Sequence, residues 1–321
     1  MTLKNEQQAT AAKFPEILDR RSGCPVCANH AYQTLIREPY DSPGIKGFLD
    51  RHYEGHANTG QLSGYDYELV RCTQCELAYQ PNVPGNALLA QIYDVWIPPS
   101  ERERLRRMRT LYDYSYTADQ IHFLIDQLGL QPYEIDILDF GMGWCEWASM
   151  ARAFGCRVAG AELSIERLEY ARSIGIETID WDTIPKRQFH FIHTEQVFEH
   201  LIEPLVVLKH LARALHPKGL LLVSVPDSRV ALKKAAGQKL SSLSAQDIMP
   251  IQPLEHINSF EFKTIERMAK AAGLKVVTPS LRKLYHSSSG WLGLKQAARL
   301  TARPIYRHIF PKSTYVFLGR G

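Results

Sequence analysis

From residue 131 onward, short apolar runs alternate with stretches of helical periodicity, and this alternation constrains the fold more than any other feature of the chain. The apolar runs are IDILDF (135–140), CRVAGAEL (156–163), IGIETID (174–180), FHFIHT (189–194) and GLLLVSV (219–225). Helices are predicted over 146–154, 165–174, 204–215 and 261–272, and the last of them precedes the runs LKVV (274–277) and STYVFLG (313–319). Strands that alternate with helices form βαβ units around a mostly parallel sheet. The sequence therefore predicts a doubly wound, Rossmann-like α/β domain.

Length and composition indicate a folded protein without a membrane span. The chain has 321 residues, of which 45% are hydrophobic and 22% are charged, as in ordinary globular proteins. The formal net charge of +4 is small, and the basic residues are dispersed, so we expect no nucleic-acid partner. No apolar stretch approaches the roughly 18 residues of a membrane span, and the first residues lack an apolar signal core. We therefore expect a cytoplasmic protein.

Shifts in composition divide the chain into four segments. Residues 1–22 are polar and aperiodic and are interpreted as a leader. Residues 23–85 are rich in Gly, Pro, Asp, Asn and Tyr, which predicts a small β-rich module. Residues 86–130 predict helices that connect this module to a catalytic domain over 131–321, within which 281–312 form a long insertion.

Two C-x-x-C pairs in the front module have the spacing of a zinc site. Cys24 and Cys27 form the first pair, and Cys72 and Cys75 form the second. Together they supply the four thiolates of a closed tetrahedral site, which indicates a structural ion because a catalytic zinc keeps one position open. Disulfides and unrelated buried cysteines are the alternatives, and a cytoplasmic location disfavours disulfides. Structural Zn²⁺ is therefore the predicted ligand.

The first strand of the catalytic domain ends in a glycine-rich turn, which predicts a nucleoside cofactor. The run IDILDFGMG places Asp139 at the end of the strand and Gly141 and Gly143 in the turn before a helix. Glycines let the backbone approach a ligand closely, and the helix N-terminus offers free N–H groups. Glu162 ends the second strand about 20 residues further on, where a carboxylate binds ribose hydroxyls.

Two acidic residues distinguish between the cofactors that use this geometry. The fingerprint for a nicotinamide dinucleotide requires a glycine where this chain has Glu146, whose carboxylate would repel a pyrophosphate. Asp139 instead suits S-adenosylmethionine, because the methionine end carries an ammonium group and the sulfur is cationic. S-adenosyl-L-methionine is therefore the predicted cofactor.

This segment resembles the class I methyltransferases, whose first motif reads D-x-G-x-G-x-G. Asp139, Gly141 and Gly143 match the motif, while Cys145 stands at its last glycine. The resemblance extends over 135–272 through QVFEHL (196–201), LHPKG (215–219) and VSVPD (223–227). It implies a doubly wound sheet of seven strands and methyl transfer from S-adenosylmethionine.

The resemblance also implies further cofactor contacts. Asp180 matches the acid after the third strand that faces adenine in the family, and Trp181 is placed to cover the adenine ring. Thr194, at the end of the fourth strand, completes the predicted cofactor-binding set.

The front half resembles a narrower group, the zinc-containing sugar methyltransferases of deoxysugar and polysaccharide biosynthesis. The run YELVRCTQCEL (67–77) carries their pattern around the second cysteine pair. In that group a Glu-His pair past the fifth strand supplies the catalytic base, and Glu255 and His256 lie at the comparable place. Their nearby tyrosine is matched by Pro253, and the further large domain of the C-methylating members is expected to be missing. The resemblance therefore favours transfer to oxygen over transfer to carbon.

Methyl transfer to a sugar hydroxyl is an in-line displacement, and a base beside the acceptor assists it. His256 is the first candidate, with Glu255 next to it, and His193 at the end of the fourth strand is the second. Each histidine is alternatively a residue that only hydrogen-bonds a loop. Glu199 and His200 are interpreted either as a capped helix start or as residues on the substrate side.

The sequence thus predicts a methyltransferase that acts on a hydroxyl of a sugar, nucleotide sugar, glycan or other small metabolite. A sugar C-methyltransferase is one alternative, and a non-catalytic adapter whose zinc module binds a protein partner is another. Nucleic-acid methylation ranks last, because HTEQ (193–196) stands where many amino-methylating enzymes carry N/D-P-P-Y/F.

The insertion at 281–312 interleaves apolar and basic residues, among them Trp291, Arg299 and Arg303. Long connections in a compact domain usually serve binding. One hypothesis is a helical pair that covers the sheet edge with its cations in water. The other is that the basic face holds a diphosphate or an anionic lipid head group of the acceptor, which would bring the protein to a membrane surface.

Overall fold

The computed structural model describes residues 17–97, 104, 107–280, 301–302, 305–306, 308–310 and 312–321 of the chain. Its strands are β1 (Leu18–Arg20), β2 (Tyr32–Pro39), β3 (Asp66–Cys72), β4 (Ala78–Tyr79), β5 (Asn82–Pro84), β6 (Asp136–Phe140), β7 (Arg157–Ala161), β8 (Glu177–Thr178), β9 (Phe189–Glu195), β10 (Leu215–Ser224), β11 (Asn258–Ser259), β12 (Leu274–Val277) and β13 (Val316–Arg320). Its α-helices are α1 (Pro43–His52), α2 (Asn86–Gln91), α3 (Leu111–Leu128), α4 (Glu146–Ala153), α5 (Ile165–Ser173), α6 (Pro204–Ala214), α7 (Arg229–Ala235), α8 (Ala245–Ile248) and α9 (Phe262–Ala271). A π-helical turn at Ile92–Trp96 follows α2 directly. The predicted insertion, including Trp291, Arg299 and Arg303, lies largely outside the described residues.

Seven strands form a central sheet in the order β12-β13-β10-β9-β6-β7-β8. Parallel pairing joins β10, β9, β6, β7 and β8, while β13 runs antiparallel to both of its neighbours. The chain order reverses between β6 and β9, and doubly wound sheets bind ligands at this position, outside the carboxyl ends of the strands. The predicted α/β fold with a sheet of seven strands is confirmed.

The central strands are buried on both faces, which explains their continuous apolar sequences. Ile137, Leu138, Ile192 and Leu221 are completely buried, as expected when helices cover both faces of a parallel sheet. Burial of one such side chain contributes about 1.5–3 kcal/mol relative to leaving it exposed. The sheet is therefore a rigid support for the residues at its carboxyl edge.

The helices that cover the sheet bury one face and expose the other. α9 begins after a capping box, in which the Glu261 N–H donates to Thr264 Oγ1 over 3.0 Å. Ile265 and Met268 are buried while Lys270 is exposed, which is the pattern of an amphipathic helix. Among the helices of the described residues, none has both the length and the apolar character to cross a membrane.

A second, antiparallel sheet combines the front of the chain with a strand from far along it. Its order is β11-β4-β3-β2, and β11 pairs with β4 by placing Asn258 opposite Tyr79 and Ser259 opposite Ala78. At the end of the predicted leader, β1 pairs with β5. The front of the chain and the segment around β11 therefore share backbone hydrogen bonds, which no sequence pattern indicated.

The same two parts of the chain share a hydrophobic core. Tyr67 and Leu69 of β3 belong to one buried cluster with Leu232 of α7 and with Leu254. The Tyr67 hydroxyl also donates to the Ile251 carbonyl over 2.6 Å. Residues between α7 and β11 are thus held by the front module as well as by the catalytic sheet.

Helix α1 interrupts the β-rich front segment and was not expected from the sequence. It has a strong start, because the Ser42 hydroxyl accepts from the Ile45 N–H over 3.3 Å and Pro43 occupies the first turn. Ile45 and Leu49 are completely buried in the front core. Two glycines within the helix obscured its pattern, because glycine is a weak helix former.

Candidate active site

The four cysteines of the two C-x-x-C pairs converge on one point. Cys24 Sγ lies 3.4 Å from Cys75 Sγ, and Cys27 Sγ lies 3.4 Å from Cys72 Sγ. All four sulfurs lie within 4.8 Å of one another. A tetrahedral site with Zn–S bonds of about 2.3 Å would place the sulfurs about 3.8 Å apart. The separation and the chemistry of the donor atoms therefore fit a single ion.

The turn after β6 requires its glycines. Gly141 has φ +74°, and a Cβ at this position would lie only 2.5 Å from Val197 Cγ2. Gly143 has φ +52°. Cys145, which stands at the family's last glycine, also adopts a left-handed φ of +61° and precedes α4 directly. The loop thus holds a non-glycine residue in the left-handed region, at a strain of about 1–2 kcal/mol.

Glu162 joins the two loops that follow β6 and β7. Its Oε2 accepts from the Gly143 N–H over 3.0 Å, and its Oε1 accepts from the N–H groups of Leu163 and Ser164 over 2.8 and 3.1 Å. Arg167 approaches the same carboxylate at 3.7 Å. The structure thus places Glu162 beside the glycine-rich turn, and its ribose role stays a prediction.

Asp139 and His193, predicted for separate roles, form a buried pair on the adjacent strands β6 and β9. His193 Nδ1 lies 2.8 Å from Asp139 Oδ1, and the Trp147 ring stacks on the imidazole at 4.1 Å. Within the described part of the chain, Asp139 Oδ2 and His193 Nε2 are buried without a hydrogen-bond partner. A buried carboxylate oxygen without a partner favours a cationic ligand. The ammonium group of S-adenosylmethionine fits this requirement.

The side chains of the remaining predicted cofactor residues each interact with another part of the protein. Exposed Asp180 accepts at Oδ1 from the Thr183 N–H over 2.8 Å, and hydrogen bonds from the Thr183 side chain and backbone hold its pKa below the ordinary value. Trp181 is half-exposed and stacks on His210 at 3.6 Å. The Thr194 hydroxyl donates its hydrogen bond to a carbonyl of β10 over 2.7 Å, so this proton is used within the sheet.

Glu255 and His256 do not act as a pair, because their side chains have different partners. Glu255 Oε1 accepts from Tyr53 Oη at 2.7 Å and lies 2.9 Å from His52 Nε2, both residues of the front module. Burial would raise the pKa of Glu255, but the hydrogen bonds from His52 and Tyr53 outweigh it and lower the pKa. Gln80 Nε2 donates to the Gln252 and His256 carbonyls over 2.9 and 3.1 Å and thereby holds the backbone of this segment.

His256 instead belongs to a buried cluster with Glu199 and His200. One ligand atom from each of the three lies within 4.8 Å of the others, and the two imidazoles meet edge to face at 5.0 Å. Both Glu199 oxygens and His256 Nδ1 lack a hydrogen-bond partner among the described residues. Burial raises the pKa of Glu199 to about 8 and lowers the pKa of His256 to about 3. Glu199 therefore does not cap a helix, and the substrate-side interpretation is favoured.

This cluster lies next to the cofactor loop. Val197, two residues before Glu199, is the side chain that a Cβ at Gly141 would contact. Tyr93 of the π-helical turn interacts electrostatically with Glu255, Glu199 and Glu162. Its pKa is raised mainly by desolvation and in addition by these negative charges. The sequence analysis missed Tyr93, because no motif distinguishes it among 15 tyrosines.

With this geometry established, comparisons define the class of protein. A family model described as a methyltransferase domain matches residues 106–278, which is more than half of the chain. The chain belongs to this family, and S-adenosylmethionine is its methyl donor. The predicted enzyme class is thereby confirmed, and the non-catalytic adapter loses its support.

Solved structures with a similar fold are methyltransferases of distant sequence. PKMT2 from Rickettsia typhi is 15% identical with a TM-score of 0.41, covering 64% of this chain and 53% of that one. A putative sarcosine dimethylglycine methyltransferase from Galdieria sulphuraria is 16% identical with a TM-score of 0.38, covering 63% of this chain and 83% of that one. CalS10, an amino pentose methyltransferase from Micromonospora echinaspora, is 20% identical with a TM-score of 0.32, covering 39% of this chain and 55% of that one.

The chain spans about half the length of PKMT2. No curated protein matches it in sequence.

Replacing Glu162 by alanine is expected to weaken binding of S-adenosylhomocysteine by about 1–3 kcal/mol, because the ribose hydroxyls lose a charged acceptor. The substitution also releases the N–H groups that Glu162 holds in both loops. Calorimetric titration of the product cofactor measures the change. Glu166→Ala, an exposed carboxylate on α5, is the matched control; equal affinities for both variants would contradict the ribose role.

Proposed function

We propose that this chain transfers a methyl group from S-adenosylmethionine to a hydroxyl of a sugar, nucleotide sugar, glycan or other small metabolite. The observation that carries the proposal is the buried cluster of Glu199, His200 and His256 beside the cofactor loop. Both Glu199 oxygens and His256 Nδ1 lack hydrogen-bond partners among the described residues. An acceptor hydroxyl that binds here can therefore replace the hydrogen bonds that it loses on leaving water.

The cofactor, when bound, supplies an electrophilic methyl group on a cationic sulfur. Gly141 and Gly143 allow close approach of the backbone, Glu162 binds the ribose, and Asp139 Oδ2 binds the ammonium group. In this proposal His193 is a positioning residue, because its bond at Nδ1 and the stacked Trp147 ring fix the Asp139 carboxylate. Asp180 and Trp181 remain the proposed adenine contacts.

The cluster would hold the acceptor hydroxyl in line with the methyl group of the donor, which is the geometry that an in-line displacement requires. The hydroxyl proton would pass to a basic atom of the cluster as the oxygen is methylated. His256 contributes through the lone pair at Nδ1, since its lowered pKa keeps the ring neutral. Glu255 is a positioning residue, because it anchors this segment to His52 and Tyr53.

Resemblance of the front module to the zinc-containing sugar methyltransferases supports a sugar as the acceptor. Pro253, at the position of their nearby tyrosine, favours oxygen over carbon as the methylated atom. We also propose that Cys24, Cys27, Cys72 and Cys75 hold a structural Zn²⁺, because their sulfurs converge and leave no position for a substrate. A phosphate-bearing acceptor that binds the insertion remains a proposal from the sequence.

Incubation with S-adenosylmethionine carrying a labelled methyl group, together with a panel of nucleotide sugars and glycans, tests the acceptor class. The label is expected on a hydroxyl oxygen, which nuclear magnetic resonance of the product distinguishes from a ring carbon. Analogues that lack the modified hydroxyl serve as controls. Label on carbon would establish the C-methylating alternative, and transfer to no panel member by protein that binds the cofactor would refute a sugar acceptor.

A further inference from the structure

We propose that Glu199, His200 and His256 form a binding site for a divalent cation, separate from the four-cysteine site. Two imidazoles and one carboxylate form a ligand set that binds Zn²⁺ and divalent iron in other proteins, with positions left open for substrate. The three side chains come from two segments, the turn after β9 and the segment before β11, which meet only in the folded chain.

The distances suit one ion. One ligand atom from each residue lies within 4.8 Å of the other two. Metal bonds of about 2.0–2.2 Å place neighbouring ligands about 3–3.5 Å apart, so small side-chain rotations complete the site. The turn that carries Glu199 and His200 is already fixed, because Asn258 Nδ2 donates to the carbonyls of Phe198 and Leu201 over 3.0 and 2.7 Å.

His200 has the backbone contact that orients metal ligands, and His256 has a buried ring nitrogen available for coordination. Ligating histidines usually donate the other ring N–H to a carbonyl or carboxylate, which fixes the ring and its tautomer. His200 Nδ1 lies 2.9 Å from the Glu255 carbonyl and donates to it, which leaves Nε2 as the ligand atom. His256 Nδ1 is buried and lacks a hydrogen-bond partner in the described residues, so it is available to the ion.

Glu199 supplies the electrostatic reason for a cation. Its side chain is 1% exposed, and neither oxygen has a hydrogen-bond partner in the part of the chain that the structure describes. The neighbouring charge that acts on it belongs to Glu195, which is also acidic. A buried carboxylate without donors is costly, whereas coordination to an ion compensates its desolvation.

The site has a distinct use, which rests on the proposed function. Three protein ligands leave coordination positions open, in contrast to the closed set of four cysteines. An acceptor hydroxyl bound to the ion becomes more acidic and is held in place for attack on the methyl group. His256 then acts on the hydroxyl indirectly, as a ligand that holds the ion in place.

Titration of the zinc-loaded full-length protein with Co²⁺, without cofactor or acceptor, tests the site directly. We expect one Co²⁺ per chain, with weak visible absorption typical of nitrogen and oxygen ligands and no strong thiolate charge-transfer band. Glu199→Gln and His256→Gln are each expected to weaken Co²⁺ binding at least about tenfold, because even loss of an outer-shell partner costs about 10- to 100-fold. His216→Gln, on the strand end opposite the site, is the matched control.

Retained affinity for S-adenosylhomocysteine shows that each variant is folded. Absence of Co²⁺ binding by the wild-type protein, or unchanged binding by both folded variants, would overturn the proposal. A charge-transfer band with release of Zn²⁺ would assign the Co²⁺ to the four cysteines and would overturn it as well. These outcomes are independent of methyl transfer, so failure of the metal site and failure of the acceptor assignment are distinguishable.

Discussion

Replacing His256 by glutamine is expected to lower kcat about 100- to 10 000-fold, the range that a positioned side chain contributes by assisting proton transfer from the acceptor. His256 Nδ1 is a buried ring nitrogen that lacks a hydrogen-bond partner among the described residues. Glutamine keeps a similar length and polarity, so Gln80 should still hold the backbone carbonyl. The measurement is the steady-state rate with the hydroxyl acceptor found by the labelling panel.

Two comparisons make the result specific. His216→Gln should leave kcat unchanged, because His216 lies at the start of β10, on the opposite edge of the sheet. The affinity of His256→Gln for S-adenosylhomocysteine should also remain unchanged, because cofactor binding depends on the loops after β6 and β7. A decrease in kcat smaller than about threefold would show that His256 only supports the loop.

Replacing Cys72 by serine is expected to unfold the front module. Structural zinc contributes about 10–16 kcal/mol in small zinc domains, which is comparable with the entire stability of about 5–15 kcal/mol of a typical protein. Cys72 ends β3, and β3 pairs with both β2 and β4. Loss of the ion therefore releases the centre of the front sheet, and activity is lost because β4 no longer holds the segment around His256.

Metal analysis after gentle purification and the thermal unfolding curve test this expectation. The wild type should contain one zinc per chain, and the variant should contain less than half an equivalent and unfold at a lower temperature. Cys156→Ser changes a buried cysteine in the catalytic domain and should retain the metal. A Cys72→Ser protein with full zinc content and an unchanged melting temperature would contradict a structural metal.

Much of the fold was predictable because its signals are local. Parallel strands buried on both faces have continuous apolar sequences, and the turn after β6 requires glycine where φ is positive, so both were visible without tertiary information. The convergence of four cysteines was also predictable, since each C-x-x-C pair places two sulfurs close together by itself.

The features that the sequence did not predict depend on contacts between distant residues. Nothing local indicates that Asp139 and His193 pair across neighbouring strands, or that Glu255 binds Tyr53 of the front module. Neighbouring residues suggested a Glu-His pair, whereas the side chains of Glu255 and His256 have separate partners. No motif marks Tyr93 either, because its interaction with Glu199 and Glu255 depends on the fold.

The shared sheet of β4 and β11 has a consequence for engineering acceptor preference. The segment that carries Glu255 and His256 is joined to the front module, about 170 residues earlier in the chain, by the bonds of Gln80 to the Gln252 and His256 carbonyls. Grafting the front module of a relative alone would leave this segment without its partner. A functional chimera must exchange both stretches together and keep the intervening sheet. Acceptor specificity in this architecture therefore depends on two separate parts of the sequence.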